Sequence, residues 1–197
     1  DTSGLTLAER NITSPDGRVL TLTVVGLSSL HMQNQHQIMA TASHTSPMSP
    51  PPTAAQFAEV EVNTETGQIK VERLLMLVDC GRVINPLTAA GQVEGGMSQG
   101  LGFALTEEML FDKNGQPLNA SLVKYRVPKA ADMPVVDTIF IQTEEPSGPY
   151  GAKSVSEIAI DGVAPALTNA LHNATGVWVR ELPLTPARVL AELKKKP

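Results

Sequence analysis

The sequence predicts an α+β fold of mixed strands and helices. Segments with strand patterning and segments with helical patterning follow one another without the regular alternation of a parallel, doubly wound sheet. No Gly-x-Gly-x-x-Gly opens a helix behind a strand, as a dinucleotide site would require. With 197 residues and 42% apolar content the chain can bury a core, as one domain or as two small packed ones. A boundary is expected near residue 52, giving an N-terminal partial segment over 1–52 and a larger unit over 53–197.

The chain opens on residues that read as the interior of something longer, through Leu5 and Leu7 to a Ser14-Pro15-Asp16-Gly17 turn. The β-rich run RVLTLTVV at 18–25 behind that Asp-Gly predicts a strand. Residues 45–53, TSPMSPPPT, hold four prolines and exclude a regular helix or a central strand, so a loop is expected. A hairpin follows. Phe57, Glu59 and Glu61 alternate with Ala58, Val60 and Val62, residues 63–67 turn, and a strand returns over Gln68 to Val78. Its continuous apolar end, Leu74 to Val78, is the pattern of a strand covered on both faces. Tight polar chemistry then sits on the end of that buried strand, Asp79-Cys80-Gly81-Arg82 and Asn85-Pro86.

From about Leu87 to Leu110, Val93, Met97, Leu101, Ala104 and Leu105 recur at three- and four-residue steps and predict one buried helix face. Five glycines, at 91, 95, 96, 100 and 102, lie in the same stretch, each costing up to about 1 kcal/mol relative to alanine in a helix interior. Either close packing or a ligand's approach to the backbone must compensate. Asp112-Lys113-Asn114-Gly115 is a turn and 135–143 a strand. Residues 163–174 form an amphipathic helix with Val163, Ala166, Leu167, Ala170, Leu171 and Ala174 on one side, ended by Gly176. A last helix begins with Thr185 as N-cap and Pro186 at its first position, burying Val189, Leu190 and Leu193.

A net charge of −5 argues against a nucleic-acid partner, which would need a basic face. The one basic run, Lys194-Lys195-Lys196, suits the negative end of a helix. No stretch approaches the roughly 18 apolar residues of a membrane span, and no leader is apparent, so a cytoplasmic location away from membranes is expected. Cys80 has no second cysteine to bridge and reads as core. His31, His36, His44 and His172 show no metal-type pairing, and no side-chain metal ligand is expected.

Two segments are unusual by composition. Gln92 and Gln99, seven residues apart, project from one helical face, and carboxamides offer donors and an acceptor without charge. They suit either surface packing or an amide-rich cofactor. The loop Gly148 to Ser156 delivers Glu157 against the apolar run Ile158-Ala159-Ile160. Such a carboxylate serves either as a general base at an apolar border or as an ordinary glutamate at a helix N-terminus.

Taken together, Asp79-Cys80-Gly81 with Ile84-Asn85-Pro86, the Gly91 to Gly102 stretch, Tyr125 with Pro128, Gly151-Ala152-Lys153 with Glu157, and the closing Leu182-Pro183-Leu184-Thr185-Pro186 resemble the C-terminal signature of the xanthine dehydrogenase/aldehyde oxidase family of molybdenum hydroxylases. The resemblance covers roughly residues 57 to 190 and is nearest to the bacterial purine branch. It implies that 53–197 is the C-terminal part of a molybdopterin-binding subunit. It also implies that Gln92, Gly95, Gly96 and Gln99, with the loop Lys153, Ser154, Val155 and Ser156, bind molybdopterin, with or without a cytosine nucleotide.

Glu157 would be the general base in hydroxylation of a purine or similar N-heterocycle with water-derived oxygen. Aldehyde or nicotinate oxidation by the same machinery is the alternative, as is a structural fragment without chemistry of its own. Iron–sulfur clusters and FAD would reside on other domains or subunits, beside the remaining half of the molybdenum subunit, and the isolated chain would be inactive. One departure stands out: Ser154 and Ser156 occupy positions where the family pattern has glycine, so a backbone conformation with positive φ, cheap for glycine, is expected to be altered or strained there.

Overall fold

A computed structural model describes residues 3–31, 38–43 and 45–195, which fall into two compact units, Asp1–Thr45 and Ser46–Pro197. His36, His44 and Lys196 lie outside the described residues.

The N-terminal unit is an antiparallel meander of β1 (Thr6–Ala8), β2 (Asn11–Thr13) and β3 (Val19–Thr21), followed by α1 (Leu22–His31). The strand expected over 18–25 is therefore three residues long and continues as a helix. The hydroxyl of Thr21 accepts a hydrogen bond from the amide of Val24 at 3.2 Å, and this side-chain cap overrides the β-preference of the threonines and valines that follow.

The larger unit is built on a three-stranded sheet in the order β4 (Thr53–Val62), β5 (Ile69–Asp79), β6 (Val135–Phe140). β4 and β5 form the expected antiparallel hairpin, with a bulge at Glu59/Val60, and β6 runs parallel to β5. The hairpin turn is made by Asn63, whose side-chain oxygen accepts from the amides of Glu65 and Thr66 at 3.0 Å each. Gly67 closes it with φ +75°, and a Cβ there would stand 3.0 Å from the amide nitrogen of Leu190, so this glycine lets the turn seat on the C-terminal helix.

On the sheet lie α2 (Pro86–Leu105), the single turn α3 (Ile158–Asp161) and α4 (Val163–Thr175), with α5 (Pro186–Leu193) closing the chain. The mixed sheet and segregated helices make the unit α+β, as the sequence predicts. Leu74, Met76 and Val78 of β5 meet Val93, Met97 and Leu101 of α2 and Val163, Leu167 and Leu171 of α4 in one core. Leu75 and Leu77 are only half-buried, so within the described residues β5 is covered fully on one face, not both.

α2 is shorter than expected. The carbonyl of Gly102 accepts from the amides of both Thr106 and Glu107, and the Thr106 hydroxyl donates to the carbonyl of Arg126 at 2.7 Å, which turns the chain out of the helix. Glu108 beyond it pairs with Arg188 of α5 at 2.7 Å. α2 also begins earlier, at Pro86, because Asn85 is an N-cap accepting from the amide of Thr88. On α4, Ala174 is exposed and Thr175 takes the buried place, its hydroxyl donating to the carbonyl of Leu171 at 2.7 Å. Gly176 ends α4 in the left-handed region and Thr185 caps α5, both as expected.

The glycines of α2 divide by environment. A Cβ on Gly96 would lie 2.6 Å from that of Ala159, and one on Gly100 would lie 2.7 Å from a methyl of Val163, so these two allow α2 to touch α3 and α4. A Cβ on Gly91 or Gly95 would meet nothing within 4 Å beyond the helix's own turn. Gly96→Val is therefore expected to lower stability by about 1–3 kcal/mol through overpacking, whereas Gly91→Ala raises it by up to about 1 kcal/mol through helix propensity. Urea unfolding of the two variants checks the contrast, and equal destabilisation would contradict it.

Candidate functional site

The site begins where β5 ends. Asp79, the last residue of that strand, accepts three hydrogen bonds: from the amide of Gly81 at 2.8 Å, from the hydroxyl of Thr143 at 2.7 Å and from the ammonium of Lys153 at 2.9 Å. β6 stops at Phe140, short of the predicted 143, and Thr143 is thereby free to serve this carboxylate. The ion pair is well shielded, with side-chain exposures of 18% for Asp79 and 11% for Lys153. The hydrogen bond from Lys153, followed by those from Gly81 and Thr143, holds the Asp79 carboxyl down at about 2.

This carboxylate ties the strand end to the loop that leads to Glu157. The Lys153 amide donates to the Cys80 carbonyl at 2.7 Å and the Arg82 amide to the Gly151 carbonyl at 2.8 Å, so the two segments lie side by side. Gly81, at φ +70°, makes that approach possible, since a Cβ there would stand 2.8 Å from the Lys153 nitrogen. The buried Cys80 thiol sits beside the pair, and burial pushes it up, away from the thiolate a nucleophile would need.

Between this double segment and the first turns of α2 lies a cleft of about 580 Å³, with Arg82, Asn85, Thr88, Gln92, Lys153 and Ser156 among its lining. Of the residues expected at a site, Gln92, Lys153, Val155 and Ser156 come together there. Gln92 reaches across the cleft, its amide donating to the Ser156 carbonyl at 2.7 Å. Gln99 and Gly95 are exposed further along the helix. Thr88, Gln92, Gly95 and Gln99, at steps of four, three and four, form one polar stripe on α2.

Gly96, one turn after Gln92, is buried beside that stripe, against Ala159. Ser154 is exposed, its hydroxyl accepting from the amide of Ser156 at 3.2 Å. Glu157 is exposed at the N-terminus of α3, the residue after the clamped carbonyl, and its side chain makes no cap hydrogen bond.

The strain expected at Ser154 and Ser156 is absent, because neither has positive φ. The left-handed residues of this loop are Tyr150 (φ +55°) and Gly151 (φ +82°), which bend the chain before the serines are reached. Four residues were not anticipated as site residues: Asp79 and Thr143, which hold Lys153, and Arg82 and Thr88, which line the cleft. An aspartate two residues before a glycine at the end of a buried strand is the local signal for the first of them. No local pattern marks the other three.

The donors offered are the Arg82 guanidinium with neutral amides, hydroxyls and backbone groups beside a helix N-terminus, and no group of three or more histidine, cysteine, aspartate or glutamate side chains could hold a metal among the described residues. A cofactor bound through an amide-rich ring and phosphate, carrying its metal on its own ligands, fits such a set.

Residues 3–134 match the molybdopterin cofactor-binding domain family. The chain belongs to that family. It is 40% identical over 159 residues to the probable hypoxanthine oxidase XdhD of Escherichia coli (strain K12), covering 80% of this chain and 17% of that protein. It is 42% identical over 142 residues to the aldehyde oxidoreductase molybdenum-binding subunit PaoC of the same organism, covering 71% of this chain and 19% of that protein. Among solved structures, a Cu,Mo-CO dehydrogenase in its carbon monoxide reduced state superposes with a TM-score of 0.78 at 25% identity, over 99% of this chain and 26% of its own. The chain thus spans about a fifth of the length of the curated relatives it matches. No described helix is long and apolar enough to cross a membrane.

The lowered pKa of Asp79 carries a signed consequence. Its contribution to stability is present above its ordinary value of 3.8 and is lost as pH falls through about 2. Asp79→Asn should therefore be less stable than wild type by about 2 kcal/mol near neutrality, and the gap should close between pH 4 and pH 2. Denaturant titrations at several pH values read this directly, and a gap independent of pH would refute it.

Proposed function

We propose that this chain forms the cofactor-holding end of a molybdenum hydroxylase that puts water-derived oxygen onto a purine or related N-heterocycle, of hypoxanthine or xanthine type, with Glu157 as general base. The observation that supports this most is the bond between Gln92 and the Ser156 carbonyl, which joins the polar stripe of α2 to the residue before Glu157 across one cleft. Gln92 and Gln99 would hold the amide edges of molybdopterin, with or without a cytosine nucleotide. The bare backbone at Gly95 leaves room for close approach, and the 153–156 loop forms the facing wall. When bound, the cofactor with its molybdenum supplies the two-electron sink of the oxidation.

Replacing a ring C–H by C–OH with oxygen from water releases two protons and two electrons. Glu157 takes up a proton as the oxygen becomes nucleophilic. Gly96, beneath Ala159, contributes by seating α3, and hence Glu157, on α2. The electrons leave for iron–sulfur clusters and FAD on other domains or subunits, and the rest of the longer subunit completes the site, so that the isolated chain is inactive. A cytoplasmic location accords with such a redox complex.

The 42% identity to an aldehyde oxidoreductase subunit supports a second reading, oxidation of an aldehyde by the same residues. Turnover of hypoxanthine, xanthine, nicotinate and an aromatic aldehyde by the complete protein separates the two, and activity on aldehydes alone would sink the purine assignment. In either case Glu157→Gln keeps the shape and removes the base, and turnover should fall by at least about 100-fold. Near-normal turnover would remove Glu157 from the mechanism.

A further inference from the structure

We propose that the partly buried Asp79–Lys153 pair is a positioning device for Glu157. It fixes the 152–157 loop from one side while Gln92 fixes it from the other, and its loss frees the loop without emptying the site. The inference rests on the reading of Glu157 given above, but its first measurement does not.

Lys153 lines the cleft, yet its ammonium is turned away to Asp79 at 2.9 Å, and its own amide is bound to Cys80. The residue therefore holds its segment by both ends, backbone and side chain. Three residues on, the Ser156 carbonyl is held by Gln92 at 2.7 Å. The two clamps stand on different elements, the end of β5 and the second turn of α2, so the backbone leading into Glu157 is fixed relative to both.

α3 is anchored in turn through Ala159, whose carbonyl accepts from the Gln56 side chain of β4 at 2.6 Å and whose methyl lies against Gly96. The glutamate itself makes no cap bond within this frame. Its placement is therefore set by the backbone clamps and by nothing at its own carboxylate, which leaves that group free for a proton. A carboxylate required at one reacting atom loses rate steeply when its backbone wanders, while binding elsewhere in the site is unaffected.

The charges around the pair favour a mechanical role. Glu145, Cys80 and Arg82 are its ionisable neighbours along the two segments, and the Glu145 carboxylate is already held low by Ser147. Lys153 carries its charge into Asp79, leaving Arg82 as the cation exposed at the cleft.

The experiment uses the complete cofactor-loaded protein that contains this chain, with Asp79→Asn, the near-isosteric Lys153→Met, and Asp79→Glu, which keeps the charge. Arg188→Met serves as a control, since it breaks the comparable Glu108 pair on α5. Amide hydrogen exchange over 152–157 should quicken by about tenfold in the first two variants and not in the control. Turnover number should fall by about tenfold, with the Michaelis constant within threefold of wild type and molybdenum content retained. Asp79→Glu should recover most of both.

Loop exchange unchanged in both Asp79→Asn and Lys153→Met would overturn the proposal. So would loss of molybdenum in step with activity, or equal loop opening in Arg188→Met. Should Glu157→Gln remain active while Asp79→Asn still opens the loop, the general-base assignment fails and the clamp stands.

Discussion

The carboxylate of Asp79 is the point on which the site depends. It ends a strand whose alternate residues are the core of the larger unit, and it collects an amide, a hydroxyl and an ammonium from three separate segments. Each donor does work elsewhere: Gly81 starts the turn that leads to α2, Thr143 fixes the segment that follows β6, and Lys153 brings in the loop before Glu157. One shielded anion thus converts the rigidity of the sheet into the position of a loop with no regular structure of its own. The desolvation cost of this partly buried charge is met by those three donors, and loss of the Asp79 carboxylate leaves the Lys153 ammonium without its counter-charge.

α2 connects the same frame from the other direction. Its buried glycines at 96 and 100 bring α3 and α4 close, while Thr88 and Gln92 of its first turns line the cleft. A larger residue at 96 would push away the turn that carries Glu157, so the packing of α2 on α3 and the position of the 153–157 loop are linked through one helix. The two explanations for a glycine-rich helix apply to different glycines: Gly96 and Gly100 answer to packing, and Gly91 and Gly95 leave the backbone open.

Much of the fold was legible because hydrophobic period and turn chemistry agree along the chain. The β4–β5 hairpin, the buried face of α2, α4 with its Gly176 stop and α5 with its Thr185 cap all follow local rules. The misjudged boundaries are places where a side-chain hydrogen bond outweighed propensity: Thr21 capping α1, Asn85 starting α2 early, and Thr106 turning the chain out of that helix. At the site, the cleft residues Gln92, Lys153 and Ser156 were found through family resemblance, and their spacing alone would not have joined them. The Asp79–Lys153 pair spans 74 residues of sequence, and no periodicity reports such a contact. The strain expected at Ser154 and Ser156 failed for a related reason, since the bend needing positive φ is made earlier, by Tyr150 and Gly151.

Glu157 brings these strands of argument together. Within this chain the carboxylate is exposed, at the edge of a cleft walled on two sides, although its backbone is held by two clamps. A general base needs both a fixed position and a dry environment, and these are separable requirements. The chain supplies the first. Under the proposed function, the bound cofactor, the substrate and the remaining length of the subunit supply the second. The partly open outer face of β5, with Leu75 and Leu77 half-buried, is a further surface on which a longer chain can pack. Under that reading, positioning is built into the local fold and desolvation is left to assembly.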